Sequence, residues 1–217
     1  MAINVYFVRH GQTYLNKYDR LQGWSDAPLT EKGLTDGTHA GQALSTINFD
    51  YAFSSDLART ITTAKLILAE NPSPITEPTP SSFFREEFFG YFEGADGPST
   101  WNYLGRPYGY NSFSEMIAGL TIEKTRDIIA AADTFGDAED DATFQARMDQ
   151  GLALLRQQPD NTNVLVVSHG TTIRSLVSRF APEYNPTSSP VNGSITKFSL
   201  TPTETKVDFF NLVSLPK

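Results

Sequence analysis

Two unbroken apolar runs of this chain are rich in β-branched and aromatic residues. Residues 5–8 read Val-Tyr-Phe-Val and residues 164–167 read Val-Leu-Val-Val. Short runs of β-branched and aromatic residues are the pattern of buried strands. Each run stops at a His-Gly pair, Arg9-His10-Gly11 after the first and Ser168-His169-Gly170 after the second. A shorter block at 51–54, Tyr-Ala-Phe-Ser, predicts a third strand, and the alternation over 194–200 and 205–210 predicts a terminal antiparallel pair. Helices are expected over 31–44 behind the N-cap Thr30, 57–69 behind Ser55-Asp56, 142–157 and 171–179. Gly33, Gly37 and Gly41 recur every four residues on one face of the first helix, which predicts close packing against the sheet. His39 on that helix reads as a half-buried structural residue.

The remaining stretches carry weaker patterns. Residues 18–28 read as an irregular loop with Gln22-Gly23-Trp24-Ser25-Asp26, and the proline-rich 72–80 as a connection with one edge strand at 75–77. The adjacent Glu86 and Glu87 lie among six aromatics between Phe83 and Phe92. Taken alone, that segment reads as amphipathic, with its Glu pair toward water. Residues 95–141 read as an insertion or cap. It is rich in Gly, Pro, Tyr and Ser up to Phe113, helical over 114–132, and then acidic. The acidic patch of Asp133, Asp137, Glu139, Asp140 and Asp141 reads as a solvated loop, not a metal site.

Composition narrows the class. A chain of 217 residues, 39% hydrophobic and 12% aromatic, suits one domain over 1–217 with the insertion inside it. The formal charge of −8 disfavours a nucleic-acid partner. No run of apolar residues is long enough to span a membrane. The absence of cysteine excludes disulfides and thiolate chemistry, and together with the absence of a visible signal peptide it fits a cytoplasmic setting.

Chemistry is expected at the strand ends, because ligands of open α/β sheets bind outside the carboxyl ends of the strands. Arg9, His10 and His169 sit there. Arg59 falls in the first turn of the 57–69 helix, the unfavourable end of the dipole for a cation, and so hints at an anionic ligand. The start of the 171–179 helix offers free N–H groups as a further anion site. Two guanidinium forks match phosphate oxygens. A neutral imidazole can attack phosphorus, and a carboxylic acid such as Glu86 can protonate the leaving alkoxide. The set describes metal-independent phosphoryl transfer through a phosphohistidine.

These residues also carry a resemblance. Arg9-His10-Gly11-x-Thr13-x-x-Asn16, Gln22-Gly23-x-x-Asp26-x-Pro28-Leu29-Thr30-x-x-Gly33, Ser54-Ser55-x-Leu57-x-Arg59-Thr60-x-x-Thr63-Ala64, the block from Glu86 to Gly94, and Val167-Ser168-His169-Gly170 together resemble the motifs of the histidine phosphatase superfamily, the phosphoglycerate mutase-like fold. The resemblance implies a three-layer α/β/α fold with a mostly parallel central sheet. It implies His10 as the phosphorylated nucleophile, Arg9, Arg59 and His169 as holders of the phosphoryl group, and Glu86 as proton donor. Asn16 and Gly170 would add phosphate contacts, and Gln22 and Gly23 would line the substrate side. No metal and no cofactor is expected.

The departures from the family bear on substrate. Mutases of the family follow the catalytic Glu with Arg-His-Tyr-Gly and carry adjacent arginines in the insertion. Here Glu86 is followed by Glu87-Phe88-Phe89-Gly90, and the insertion holds only Arg106 and Arg126. A sugar acid would meet Glu87 and aromatics where it needs cations, which favours hydrolysis of a small-molecule phosphomonoester over mutase activity. The alternatives are a cofactor-dependent phosphoglycerate mutase and a non-catalytic phosphate-binding module. A metallohydrolase using His10, His169 and Glu86 is disfavoured by the nearby arginines.

Overall fold

The two uninterrupted apolar blocks become adjacent strands in the middle of one sheet. The computed structural model describes residues 2–185 and 187–215. Its strands are β1 (Ile3–Arg9), β2 (Tyr51–Ser54), β3 (Thr79–Pro80), β4 (Asn163–Ser168), β5 (Ile195–Leu200) and β6 (Thr205–Leu212), in the order β3-β2-β4-β1-β5-β6. β1 pairs parallel to β4, β4 to β2 and β2 to β3, while β5 and β6 complete the sheet antiparallel. The sheet is therefore mostly parallel, as the resemblance implied. In the β1–β4 register Arg9 lies opposite Ser168, so the two His-Gly ends leave the sheet side by side.

Helices cover both faces. They are α1 (Tyr14–Lys17), α2 (Glu31–Ala43), α3 (Ala58–Ala69), α4 (Gly97–Gly105), α5 (Phe113–Leu120), α6 (Ile122–Ala132), α7 (Asp141–Leu155) and α8 (Gly170–Phe180). Alternate strand residues point to opposite faces. Val5, Phe7, Val164 and Val166 join Met148 and Leu152 of α7 and Ile173 and Leu176 of α8 in one core. Tyr6, Val8, Leu165 and Val167 join Leu44 beyond α2 and Ala64, Ile67 and Leu68 of α3 in the other. Both faces of β1 and β4 are thus dry, which is why neither strand alternates in its sequence.

Several expectations are corrected. The stripe of Gly37 and Gly41 packs on α3, not on the sheet: a Cβ on either would stand 2.9 Å from Leu66 or from Ile67 and Glu70. Gly33 meets the chain just after β1, where a Cβ would stand 2.0 Å from the Gln12 carbonyl oxygen. His39 is exposed. The edge strand forms at Thr79–Pro80 and not at 75–77. The single helix expected over 114–132 is two, α5 and α6, broken at Thr121, whose φ is 110°. Residues 97–105, too glycine- and proline-rich to read as helix, form α4, capped by Asp96 with Pro98 in its first turn.

The insertion builds its own apolar core from Leu104, Met116, Ile128 and Ile129 against Leu21, Phe89 and Phe92. The acidic patch is only partly solvated. Asp133 and Glu139 are buried. Asp133 accepts N–H groups from Phe135, Asp137 and Ala138, and Glu139 receives the Arg147 fork at 2.7 Å.

Candidate active site

His10 follows β1 and His169 follows β4, so the parallel register brings their rings to 5.2 Å, edge to face. Both imidazoles are buried. The His10 Nδ1 lies 2.7 Å from the Gly11 carbonyl oxygen. A carbonyl can only accept, so Nδ1 carries the proton and Nε2 keeps its lone pair. Arg59 Nε donates to that lone pair at 3.3 Å. His169 shows the opposite tautomer: its Nδ1 accepts from Arg59 Nη2 at 3.1 Å, and its Nε2–H donates to Ser55 Oγ at 2.9 Å. Burial, and then the charge of Arg59, holds both imidazoles well below the ordinary histidine range, so both are neutral at pH 7.

Arg59 reaches both rings because α3 begins beside them. Its guanidinium also donates to the carbonyls of Ser25, at 2.9 Å, and Gly23, at 2.6 Å, and pairs with Asp26 at 3.1 Å. Asp26 in addition accepts the Ala58 N–H, and Leu57, at the N-cap, supplies no side-chain cap. The expected caps are used elsewhere, Ser55 on His169 and Asp56 on Arg85. A carboxylate thus compensates the cation at the positive helix end. The loop that supplies these acceptors is held by Glu93, which takes the N–H groups of Gly23, Trp24 and Ser25.

Glu86 and Glu87 part company. Both are buried, contrary to the solvated reading of that segment alone. Glu86 Oε2 accepts the Thr171 N–H at 2.8 Å, and Oε1 accepts the Thr172 N–H at 2.8 Å and its hydroxyl at 2.9 Å. The N–H groups expected to await a ligand at the start of α8 therefore hold this carboxylate. Glu87 pairs with Arg126 at 3.1 Å, and Arg126 also donates to Asp141 and to Ser175. Burial pushes the Glu87 carboxyl up to about 7 even with Arg126 opposing it. Glu87 does not line the cleft, so the clash expected between it and an anionic substrate does not arise.

The cleft itself has a volume of about 590 Å³. Arg9, Asn16, Gln22, Glu86, Gly170 and Arg174 of the core form one side, and Trp101 and Phe113 of the insertion face it. His10, Arg59 and His169 are buried beyond its lining, and Gly23 is an acceptor for Arg59 instead of a cleft residue. A Cβ on Gly23 would come within 2.2 Å of the Glu87 carbonyl oxygen. Arg9 donates to Ser189 and to the Pro190 carbonyl. Asn192 donates to the His10 carbonyl and to Asn16. Sequence reasoning missed Thr171, Thr172, Ser55, Asn192 and Arg174. The first two and Arg174 lie on the helix that the second His-Gly pair opens, which was the available signal; Asn192 lies in a stretch with no pattern. Among the described residues no group of three or more His, Cys, Asp or Glu converges as a metal site, and Arg59 stands hydrogen-bonded between the two imidazoles.

A family model described as histidine phosphatase superfamily (branch 1) matches residues 5–213. The chain belongs to the histidine phosphatase superfamily. It is 35% identical over 174 residues, 78% of this chain and 76% of the relative, to a 2,3-bisphosphoglycerate-dependent phosphoglycerate mutase of Rhizobium etli. A solved phosphoglycerate mutase from Bacillus anthracis is 32% identical, with a TM-score of 0.89 over 98% of this chain and 93% of that one. The alpha-ribazole phosphatase from Shigella flexneri shares the fold, with a TM-score of 0.70 at 19% identity over 99% and 98% of the two chains. Proteins with nearly the whole of this architecture thus carry the names of two reactions. No helix among the described residues is long and apolar enough to cross a membrane.

Proposed function

We propose that this superfamily member hydrolyses a small-molecule phosphomonoester through a phosphohistidine on His10. The observation that carries the reading is the state of His10, a neutral imidazole whose Nδ1 is tied to the Gly11 carbonyl and whose Nε2 lone pair faces Arg59. Substrate phosphoryl oxygens take over the Arg59 donor that now rests on that lone pair, Arg9 shares the charge, and His169, whose Nε2–H is spent on Ser55, orients Arg59 through its Nδ1. Nε2 then attacks phosphorus, the P–O bond to the leaving group breaks, and the alkoxide takes a proton from Glu86, which enters this half of the cycle as the carboxylic acid. In the second half the same carboxylate accepts a proton from water as that water attacks the phosphohistidine, releasing phosphate. Asn16, Gln22 and Gly170, which line the cleft, are assigned to the phosphoryl group in this reading.

Hydrolysis is favoured over transfer between sugar-acid positions by the insertion. It contributes no cation to the cleft: Arg106 is exposed, and Arg126 is buried against Glu87 and Asp141. The second reading, a phosphoglycerate mutase, is supported by the names of the relatives at 35% and 32% identity and by Arg20 and Arg174 on the core side of the cleft. The deciding experiment is phosphate release from p-nitrophenyl phosphate in EDTA, wild type against His10→Ala, run beside interconversion of 3- and 2-phosphoglycerate in the presence of 2,3-bisphosphoglycerate. Release by wild type alone is expected. Interconversion without net phosphate release would replace hydrolysis by the mutase reading.

A further inference from the structure

Glu86 stands in residues 85–89, a segment that belongs to no helix or strand. Side chains fix its backbone instead. Arg147 of α7 donates to the carbonyls of Phe83, Arg85 and Glu86, and Glu139 and Glu93 accept the N–H groups of Phe88 and Phe89. The Glu86 carboxyl is held from another quarter, by the first turn of α8. Its direction is therefore fixed only as well as the segment and α8 are fixed to each other.

Two side chains make that join. The Thr172 hydroxyl is one, with a single proton divided between the Arg85 carbonyl and Glu86 Oε1, both at 2.9 Å. The other is Arg126, which comes from α6 of the insertion and is fully buried. Its Nε donates to Glu87 Oε2 at 3.1 Å and its Nη2 to Ser175 Oγ at 2.7 Å, while Nη1 goes to Asp141 at the start of α7. Ser175 lies one turn beyond Thr171 on α8, and the Glu87 N–H itself donates to Glu86 Oε1 at 3.0 Å. One rigid fork thus ties the residue beside the acid to the helix that grips the acid. The Phe144 ring, 3.7 Å from the Arg126 Cζ, backs the fork.

We propose that Arg126 is a positioning residue for Glu86: by tying Glu87 to Ser175 it holds the carboxyl in the direction that the leaving oxygen needs. The insertion then serves the proton transfer as well as covering the cleft. The inference rests on the part given to Glu86 in the function proposed above.

The test has a kinetic and a non-kinetic reading, both on the full chain. Across phosphomonoesters from alkyl to p-nitrophenyl, Arg126→Met should slow the poor leaving groups by about 10- to 100-fold, the cost of displacing a reacting group by about 1 Å, and p-nitrophenyl phosphate far less. Glu86→Gln, run beside it, should show the same selectivity on a larger scale. Without any substrate, hydrogen exchange of the Thr171 and Thr172 amides should quicken about 10-fold in Arg126→Met relative to the Val166 amide of β4. The single substitution also strands the Glu87 carboxyl without its cation. The double variant Glu87→Leu with Arg126→Met removes both charges, a replacement that buried pairs often tolerate, and it decides if the single variant does not fold. It should keep the selective loss. Equal slowing of all esters by Arg126→Met, unchanged exchange of the two amides, or wild-type kinetics in the double variant, which would reduce Arg126 to a counter-charge for Glu87, overturns the proposal. Uniform slowing by Glu86→Gln, or no hydrolysis by wild type, would count against the proposed reaction instead, and quickened exchange would still establish Arg126 as the residue that fixes the carboxyl.

Discussion

At the sheet end of the cleft, Arg59 bridges two imidazoles and three acceptors of one loop, and Glu86 is gripped by the first turn of α8. At the cap end, Trp101 and Phe113 stack on one another and Arg174 lies against the pair without a single hydrogen bond. The first arrangement is directional: each donor and acceptor has a geometric requirement and partners placed to meet it. The second is held by dispersion and ring quadrupoles, which tolerate small shifts. In the proposed function the chemistry falls at the directional end, and the contacts that can be exchanged lie at the other.

Substitutions should separate the two ends by size of effect. His10→Ala removes the nucleophile and should lower phosphate release by a factor of order 10⁶, as for loss of a nucleophile in other covalent enzymes, with an unchanged circular dichroism spectrum. Normal turnover by this variant would dissolve the distinction. Glu86→Gln should slow esters with poor leaving groups by about 10²- to 10⁴-fold, the usual worth of a general acid, and p-nitrophenyl phosphate far less. Equal slowing across a leaving-group series would remove Glu86 from the proton transfer. At the other end, Phe113→Leu removes the ring beneath Arg174 and should raise KM by no more than about 30-fold, given the 0.5–2 kcal/mol of a cation–π contact. A drop in kcat matching that of Glu86→Gln would mean that the cap takes part in the chemistry.

The smallest effect concerns the buried pair behind the cleft. Glu87 has its carboxyl pushed up to about 7 by burial, against an ordinary value of 4.5. The folded chain therefore keeps a proton that the unfolded chain releases between those values, and this group's contribution to stability declines as pH rises from about 4.5 to about 7. Melting temperatures between pH 5 and pH 8 should show the decline in wild type relative to Glu87→Gln. Parallel pH curves for the two proteins would place Glu87 in its pair fully ionised at every pH. The histidines act in the opposite sense: their lowered folded values mean that stability is lost as pH falls below about 6.5, where the unfolded chain takes up protons.

The central strands and their His-Gly ends were legible because a strand dry on both faces leaves a mark of its own, an unbroken run such as 164–167. The break in the insertion at Thr121 was not legible, since residues 114–132 keep a helical pattern through it. Nor was α4, where Asp96 capping and Pro98 in the first turn override a composition that reads as loop. The glycine stripe on α2 announced close packing truthfully but could not name its partner, which is α3.

What the sequence alone determined, then, is the set of candidate groups: Arg9, His10, Arg59 and His169 sit at strand or helix boundaries that local pattern marks, and Glu86 was picked out by the resemblance. The tertiary structure decided which way adjacent side chains turn. Glu86 goes to α8, 85 residues away, and Glu87 to Arg126, 39 residues away. Two neighbours of identical chemistry carry no local signal of that choice, and the electrostatic objection to an anionic substrate rested on Glu87 turning to the cleft. The same holds for Arg174. Its stem lies on the helix that the second His-Gly pair opens, but whether its guanidinium is paired depends on which carboxylates the fold engages elsewhere, Glu86 on Thr171 and Thr172 and Glu87 on Arg126.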